Sequence, residues 1–149
     1  MAFTNEHSLR TLCNVLLTRL EKGNYILFNP RDRNQVREEL YETMKGVMLT
    51  EDDLIEIARD AISGKAQDIA DQNITETDAF KMKKKDIKAD FSDNQVAGFY
   101  LTGSLREVAG KVGPFLFSCK YIEDVFESDE AIQRMVQESI LNFDESKIS

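Results

Sequence analysis

The apolar positions in the first half of the chain recur at steps of three and four residues, the spacing of one face of an α-helix. One stripe spans residues 9–20 and ends before Gly23, and residues 25–28 (Tyr-Ile-Leu-Phe) follow as a short segment suited to a strand. Two further stripes span residues 36–47 and 54–62. The pattern therefore predicts three helices, with an extended segment between the first and the second.

The second half of the chain is predicted to contain a short helix over residues 77–89 and a longer helical stretch over residues 94–117. Two glycines and a proline between positions 110 and 114 interrupt the long stretch. Because a proline inside a helix removes a hydrogen bond and clashes with the preceding turn, we expect a kink or two separate helices there. Residues 121–122 are predicted to be extended, and a final helix begins near residue 128.

The two ends of the chain align without a gap when the sequence is shifted by 96 residues. Leu9 then meets Leu105, and Tyr25-Ile26 meets Tyr121-Ile122 at the same place between two helices. The alignment predicts a duplication of one helix–extended–helix unit. The alternative is that two pairs of amphipathic helices fall into register by chance.

We therefore expect a mainly α fold in a single domain covering residues 1–149. Its two repeat-like units span about residues 5–48 and 94–144, and a central helical segment over residues 50–90 joins them. A lone extended segment leaves backbone donors and acceptors unpaired, so the two segments are expected to pair as a short two-stranded antiparallel ribbon. The units would then lie around a pseudo-two-fold axis.

Charge is distributed unevenly along the chain. The formal net charge is −8, which argues against broad binding of a phosphate backbone, yet residues 81–88 hold five lysines and one aspartate. Such a helical face can bind phosphates, an acidic lipid or an acidic protein surface; the alternative is a solvated face that balances an acidic body. The polyanion-binding residues predicted on this face are Lys81, Lys84, Lys85 and Lys88.

The sequence predicts no catalytic residues, no cofactor and no metal site. His7 has no cysteine or serine near it in sequence, and the adjacent acids at positions 51–53 suit the first turn of a helix better than an ion. Cys13 and Cys119 are too few for a disulfide scaffold and are expected to be free thiols of a cytoplasmic protein. No stretch approaches the roughly 18 apolar residues of a membrane helix, so no membrane association is expected.

Two segments carry a resemblance to a known family. Residues 49–54 (Leu-Thr-Glu-Asp-Asp-Leu) and 121–132 (Tyr-Ile-Glu-Asp-Val-Phe-Glu-Ser-Asp-Glu-Ala-Ile), with the order of the predicted elements, resemble the bacterial domain of unknown function 507 family. The resemblance spans most of the chain and implies that family's fold. Gly113-Pro114 departs from the smoother helix expected there. The family carries no established activity, so the resemblance implies no catalytic residues.

These observations favour a non-enzymatic protein-interaction or assembly module of the bacterial cytoplasm, with a protein as its partner. The alternative is an accessory protein that binds RNA or DNA through the lysine-rich helix. A third hypothesis, an enzyme with an unrecognised site, requires a deep polar pocket with convergent acids. The sequence does not specify an oligomeric state.

Overall fold

The computed structural model describes residues 4–147 and is mainly helical. The ends of the predicted domain, residues 1–3 and 148–149, lie outside the described residues. The α-helices are α1 (Glu6–Lys22), α2 (Arg33–Lys45), α3 (Glu51–Ile62), α4 (Ala66–Asp71), α5 (Glu76–Ala89), α6 (Leu105–Ala109), α7 (Val112–Ser118) and α8 (Asp129–Leu141). The strands are β1 (Ile26–Phe28), β2 (Met48–Leu49), β3 (Gln95–Val96), β4 (Phe99–Leu101) and β5 (Ile122–Val125).

Strands β1 and β5 form a two-stranded antiparallel ribbon, as the sequence predicted. The N–H of Phe126 extends the pairing by donating to the carbonyl of Tyr25 at 2.8 Å. Glu123 has no partner in the register and makes a β-bulge. The register joins three residue pairs: Ile26 with Val125, Leu27 with Asp124, and Phe28 with Ile122.

The main core lies between α1, α2, α6, α7, α8 and the ribbon. Helix α1 begins at a capping box made by Asn5 and Ser8, and its leucine stripe is the buried face that the spacing predicted. Ile26 is buried, whereas Ile122 is only partly buried but packs against the same core. Helices α2 and α8 contribute Val36, Leu40, Met44, Ile132, Val136 and Ile140.

The predicted interruption of the long apolar stretch is a break between two helices, α6 and α7. Pro114 lies in the first turn of α7, where its missing N–H costs no intrahelical hydrogen bond. Gly113 packs so close to the carboxylate of Asp129 that a Cβ atom there would overlap it. The glycine therefore allows α7 to approach the first turn of α8.

The start of that stretch is not helical, so the prediction of a helix from residue 94 is wrong. Strands β3 and β4 form a hairpin, and β2 adds to β4 to give a second antiparallel sheet in the order β2-β4-β3. The two turn residues, Ala97 and Gly98, have φ values of 53° and 86°. A two-residue turn with both φ positive matches the twist of a hairpin, and the fully buried Phe99 and Leu101 fix β4 against the core.

The two ends of the chain share the order helix, strand, helix, with α1, β1 and α2 at one end and α6–α7, β5 and α8 at the other. They differ because α1 is one continuous helix of 17 residues and its counterpart is broken. A duplication as the origin of this likeness, and the pseudo-two-fold axis, stay predictions.

Replacing Ile26 with aspartate is expected to lower the free energy of unfolding by about 3 kcal/mol or more, because the new carboxylate would be buried without a partner. Leu27→Lys is the control that also introduces a charge: the next side chain along β1 is 48% exposed and lies opposite Asp124, so a change below about 0.5 kcal/mol is expected. Urea denaturation measures both. Equal losses in the two variants would contradict the orientation of β1.

Candidate functional site

The lysine-rich helix is α5, and it begins where the side chain of Thr75 caps the N–H of Asp78. The lysines of α5 do not all point in the same direction. Lys81 and Lys85 are exposed, whereas Lys84 and Lys88 are partly buried and point toward α3. Only half of the predicted polyanion site is therefore free in solvent.

The carboxylate of Glu51, at the start of α3, binds the two inward lysines. The ammonium groups of Lys84 and Lys88 lie 2.7 and 3.2 Å from its Oε1, and the hydroxyl of Tyr100 donates to its Oε2 at 2.6 Å. Partial burial raises the pKa of Glu51, but the hydrogen bonds from Lys84, Tyr100 and Lys88 outweigh it and lower the pKa to about 2. Burial and the same carboxylate raise the pKa of Tyr100.

The N-terminal segment holds Glu51 in place. The buried hydroxyl of Thr4 accepts a hydrogen bond from the N–H of Glu51 at 2.9 Å and donates to the carbonyl of Gly98 at 2.8 Å. Asp53 turns the other way and accepts from the N–H of Thr50 at 2.9 Å. The adjacent acids thus serve separate structural contacts, a salt bridge and a helix cap.

Three lysines of α5 are exposed, Lys81, Lys83 and Lys85, and Met82 is 57% exposed. Lys81 and Lys85 lie one turn apart, whereas Lys83 is about half a turn away, and the exposed Asp86 lies on the solvent-facing part of the helix. The prediction omitted Lys83 because it does not follow the steps of three and four. A shallow cleft of about 160 Å³ lies beside Met82 and Lys83, between α3, α4 and α5. Its floor is apolar, and both Lys65 and Asp86 line it.

A second surface, which sequence reasoning missed, surrounds the ribbon. Three large apolar side chains are exposed there: Leu27 in β1, Phe117 in α7 and Phe126 after β5, with exposed fractions of 48%, 61% and 55%. We call these three residues, together with the adjoining groove, the ribbon surface. The groove has a volume of about 210 Å³ and is lined by Leu116, Phe117 and residues 122–125.

The ribbon surface is bordered by acids. Glu123 and Asp124 are exposed and line the groove. The N–H of Val125 donates to Oδ1 of Asp124 at 2.9 Å instead of to a strand. Because the N–H of the next residue, Phe126, points at β1, that of Val125 lies on the opposite, unpaired edge of β5.

The cysteines are poor nucleophiles in this environment. Both Cys13 and Cys119 are free and buried. Burial raises the pKa of Cys13 to about 12, and burial also raises the pKa of Cys119, so the reactive thiolate is disfavoured at neutral pH. His7 is exposed, with its Nε2 3.9 Å from a carboxylate oxygen of Glu145. Within residues 4–147, no group of three or more metal-binding side chains comes together.

Comparison with known proteins adds no constraint on function. No family model matches the chain, and no curated protein matches it. The resemblance to the domain of unknown function 507 family therefore stays a prediction. None of the helices between residues 4 and 147 has the length and apolar character needed to cross a membrane.

Glu51→Gln is expected to lower the free energy of unfolding at pH 7 by about 2 to 3 kcal/mol, because a carboxylate whose pKa is depressed by its partners stabilises the fold. This stabilisation is complete above pH 4.5, the ordinary pKa, and is lost as the pH falls toward 2. The difference between the wild type and the variant should therefore shrink over that interval.

Denaturation series at several pH values measure this difference, with Glu56→Gln as the control because Glu56 is exposed on the same helix. The control is expected to change stability by less than about 0.5 kcal/mol. A Glu51→Gln effect that is independent of pH would contradict the ion pairs.

Proposed function

We propose that this protein is a non-enzymatic interaction module that binds another protein through the ribbon surface. The observation that carries the proposal is the concentration of Leu27, Phe117 and Phe126 around one short ribbon. Single exposed apolar residues are normal on a protein surface. Here Leu27 and Phe126 lie on or next to the two paired strands and Phe117 lines the groove beside β5, so three large exposed side chains belong to one short element. Aromatic side chains are also enriched at protein interfaces.

The two grooves described above are smaller than the pockets that usually hold small molecules. Pockets for small molecules usually have volumes of about 300–1,000 Å³ and enclose most of the ligand. The groove beside β5 measures about 210 Å³, and the cleft beside α5 about 160 Å³. Both suit individual side chains of a protein partner.

The cellular location and the bacterial origin of this module are part of the same proposal. The free thiols of Cys13 and Cys119 suit a reducing compartment, which supports a cytoplasmic location. The resemblance of residues 49–54 and 121–132 to a bacterial family supports a bacterial origin. An adaptor or assembly factor of the bacterial cytoplasm is the role that fits both.

Site-specific photo-crosslinking in the native cell tests the proposal. A photoreactive phenylalanine analogue at Phe117 or Phe126 is expected to give the same protein adduct, since both side chains are exposed at the ribbon surface. The analogue at Glu56 or Asp60, exposed on α3, should not give that adduct. Adducts that are absent from the ribbon positions, or that disappear after nuclease treatment, would contradict the proposal.

Polyanion binding by α5 is the second candidate function. Its support is the exposure of Lys81, Lys83 and Lys85, none of which takes part in an ion pair within residues 4–147. Lys84 and Lys88 serve Glu51 instead, so a polyanion would have to compete with that carboxylate for them. The proposed site is therefore the exposed lysines of the helix, with Lys81 and Lys85 one turn apart.

The triple variant Lys81→Gln, Lys83→Gln, Lys85→Gln is expected to abolish binding of a labelled single-stranded RNA and leave stability unchanged. In the wild type, binding should weaken steeply with salt, because neutralised phosphates release counterions. The double variant Lys84→Gln, Lys88→Gln should instead destabilise the fold by releasing Glu51. Unchanged RNA affinity in the triple variant, or no binding by the wild type at low salt, would exclude the site.

A further inference from the structure

We propose that Glu51 is an internal competitor for the lysines of α5: its carboxylate keeps Lys84 and Lys88 from the phosphates of a single-stranded RNA, and its release adds both lysines to the binding site. The inference rests on the second candidate function, polyanion binding by α5. It describes what limits that site and how the limit is removed.

The four lysines that the sequence predicted as polyanion-binding are neighbours along α5. Each of them lies three or four residues from two of the others, the spacing at which helical side chains are adjacent. Lys81 and Lys85 are exposed and take part in no ion pair within residues 4–147. Lys84 and Lys88 are partly exposed beside α3. An RNA backbone bound by the first pair therefore lies next to the second pair.

Glu51 binds the second pair in the way that a phosphate oxygen would. Its Oε1 lies 2.7 Å from the ammonium group of Lys84 and 3.2 Å from that of Lys88. Lysine ammonium groups are also common donors to phosphate. The carboxylate and an RNA phosphate are therefore alternative partners of the same two donors, and the carboxylate has the advantage of being part of the fold.

Release of the two lysines requires movement of one side chain and not of a helix. The N–H of Glu51 donates to the hydroxyl of Thr4 at 2.9 Å, and the N–H of Asp52 donates to the carbonyl of Thr4 at 3.3 Å. These bonds hold the start of α3 through its backbone. Leu54 and Ile87 belong to one buried apolar cluster that joins α3 to α5 without charge. The side chain of Glu51 is thus the part of this contact that can turn away.

The placement of the apolar residues of α5 favours RNA over a lipid surface. A helix that lies on a membrane inserts an apolar face beside its basic residues. In α5, Ala79 and Ile87 are buried within the protein and Phe80 is partly buried. Met82 is exposed, but the exposed Asp86 lies one turn from it. The lysines therefore offer charge without an apolar face that could enter a membrane.

Fluorescence anisotropy of a labelled single-stranded RNA at low salt tests the proposal with the full-length protein. Glu51→Gln is expected to bind about threefold to tenfold more tightly than the wild type, because two exposed phosphate contacts are added. Glu56→Gln is the matched control: it removes the same charge from an exposed position of α3 and should change affinity less than about twofold. Equal affinities of the two variants would overturn the proposal.

The gain must come from the released lysines. In the Glu51→Gln background, Lys84→Gln with Lys88→Gln should return the affinity to about the wild-type value. In a plot of log affinity against log salt concentration, Glu51→Gln should be steeper than the wild type by about 1.4, since each added phosphate contact on a single strand contributes roughly 0.7. A gain that survives the loss of both lysines, or an unchanged slope, would overturn the proposal.

A second variant keeps the test decisive if Glu51→Gln does not fold, which thermal melting shows. Glu51→Asp keeps the charge in the first turn of α3 but shortens the side chain by one CH₂, which withdraws the carboxylate from both lysines. It is expected to raise RNA affinity about twofold or more. An affinity of Glu51→Asp equal to that of the wild type would then overturn the proposal.

The outcomes separate this inference from the candidate function on which it rests. Wild-type binding without a gain in Glu51→Gln would leave polyanion binding standing and reject the competitor. Binding by Glu51→Gln and not by the wild type would support the competitor and reject the exposed lysines as a site on their own. Binding by neither would reject both. Tighter binding of anionic lipid vesicles or of poly-glutamate than of RNA would overturn the proposed ligand.

Discussion

The pairing of β1 with β5 is the constraint on which the rest of the structure depends. Two of the three β1 side chains are buried, Ile122 and Val125 of β5 pack against the same core, and a backbone in this position needs hydrogen-bond partners. Pairing keeps the apolar side chains against the core and gives the backbone its hydrogen-bond partners. It also joins the beginning of the chain to its end, where α1 packs against α2 and α8. The same pairing leaves one edge of β5 and the exposed Phe126 on the outside, which creates the ribbon surface.

A second constraint fixes the central helices. Helices α3 and α5 share only a small apolar core, built on Leu54, Ala58, Ile87 and Tyr100. The carboxylate of Glu51 adds a charged contact from α3 to α5 and to β4. Lys84 and Lys88 are taken up by this contact, and the exposed Lys81, Lys83 and Lys85 carry the remaining positive charge of the helix. The molecule thus presents two surfaces of opposite charge.

The helices were predictable because the spacing of apolar residues is a local signal. The ribbon was predictable because the same Tyr-Ile pair occurs twice in the chain. The stripe of α1 and the Tyr-Ile pairs at 25–26 and 121–122 are examples. The hairpin at Ala97-Gly98 was not predictable, since alanine replaces the asparagine or aspartate that usually marks such a turn and the strands are two and three residues long. The sequence did not show which lysines face inward, because their partner Glu51 is remote in sequence. It did not show the exposure of Phe117 either, because that depends on how α7 packs.

Residue-resolved amide hydrogen exchange of the free protein tests most directly whether β5 is paired on one side and open on the other. The N–H of Phe126, bonded to the carbonyl of Tyr25, is expected to exchange slowly. The N–H of the adjacent Val125, held only by the side chain of Asp124, is expected to exchange much faster. Equal protection of the two amides would show a covered edge, and equal lack of protection would show that the ribbon is not formed; either result would contradict the proposed surface.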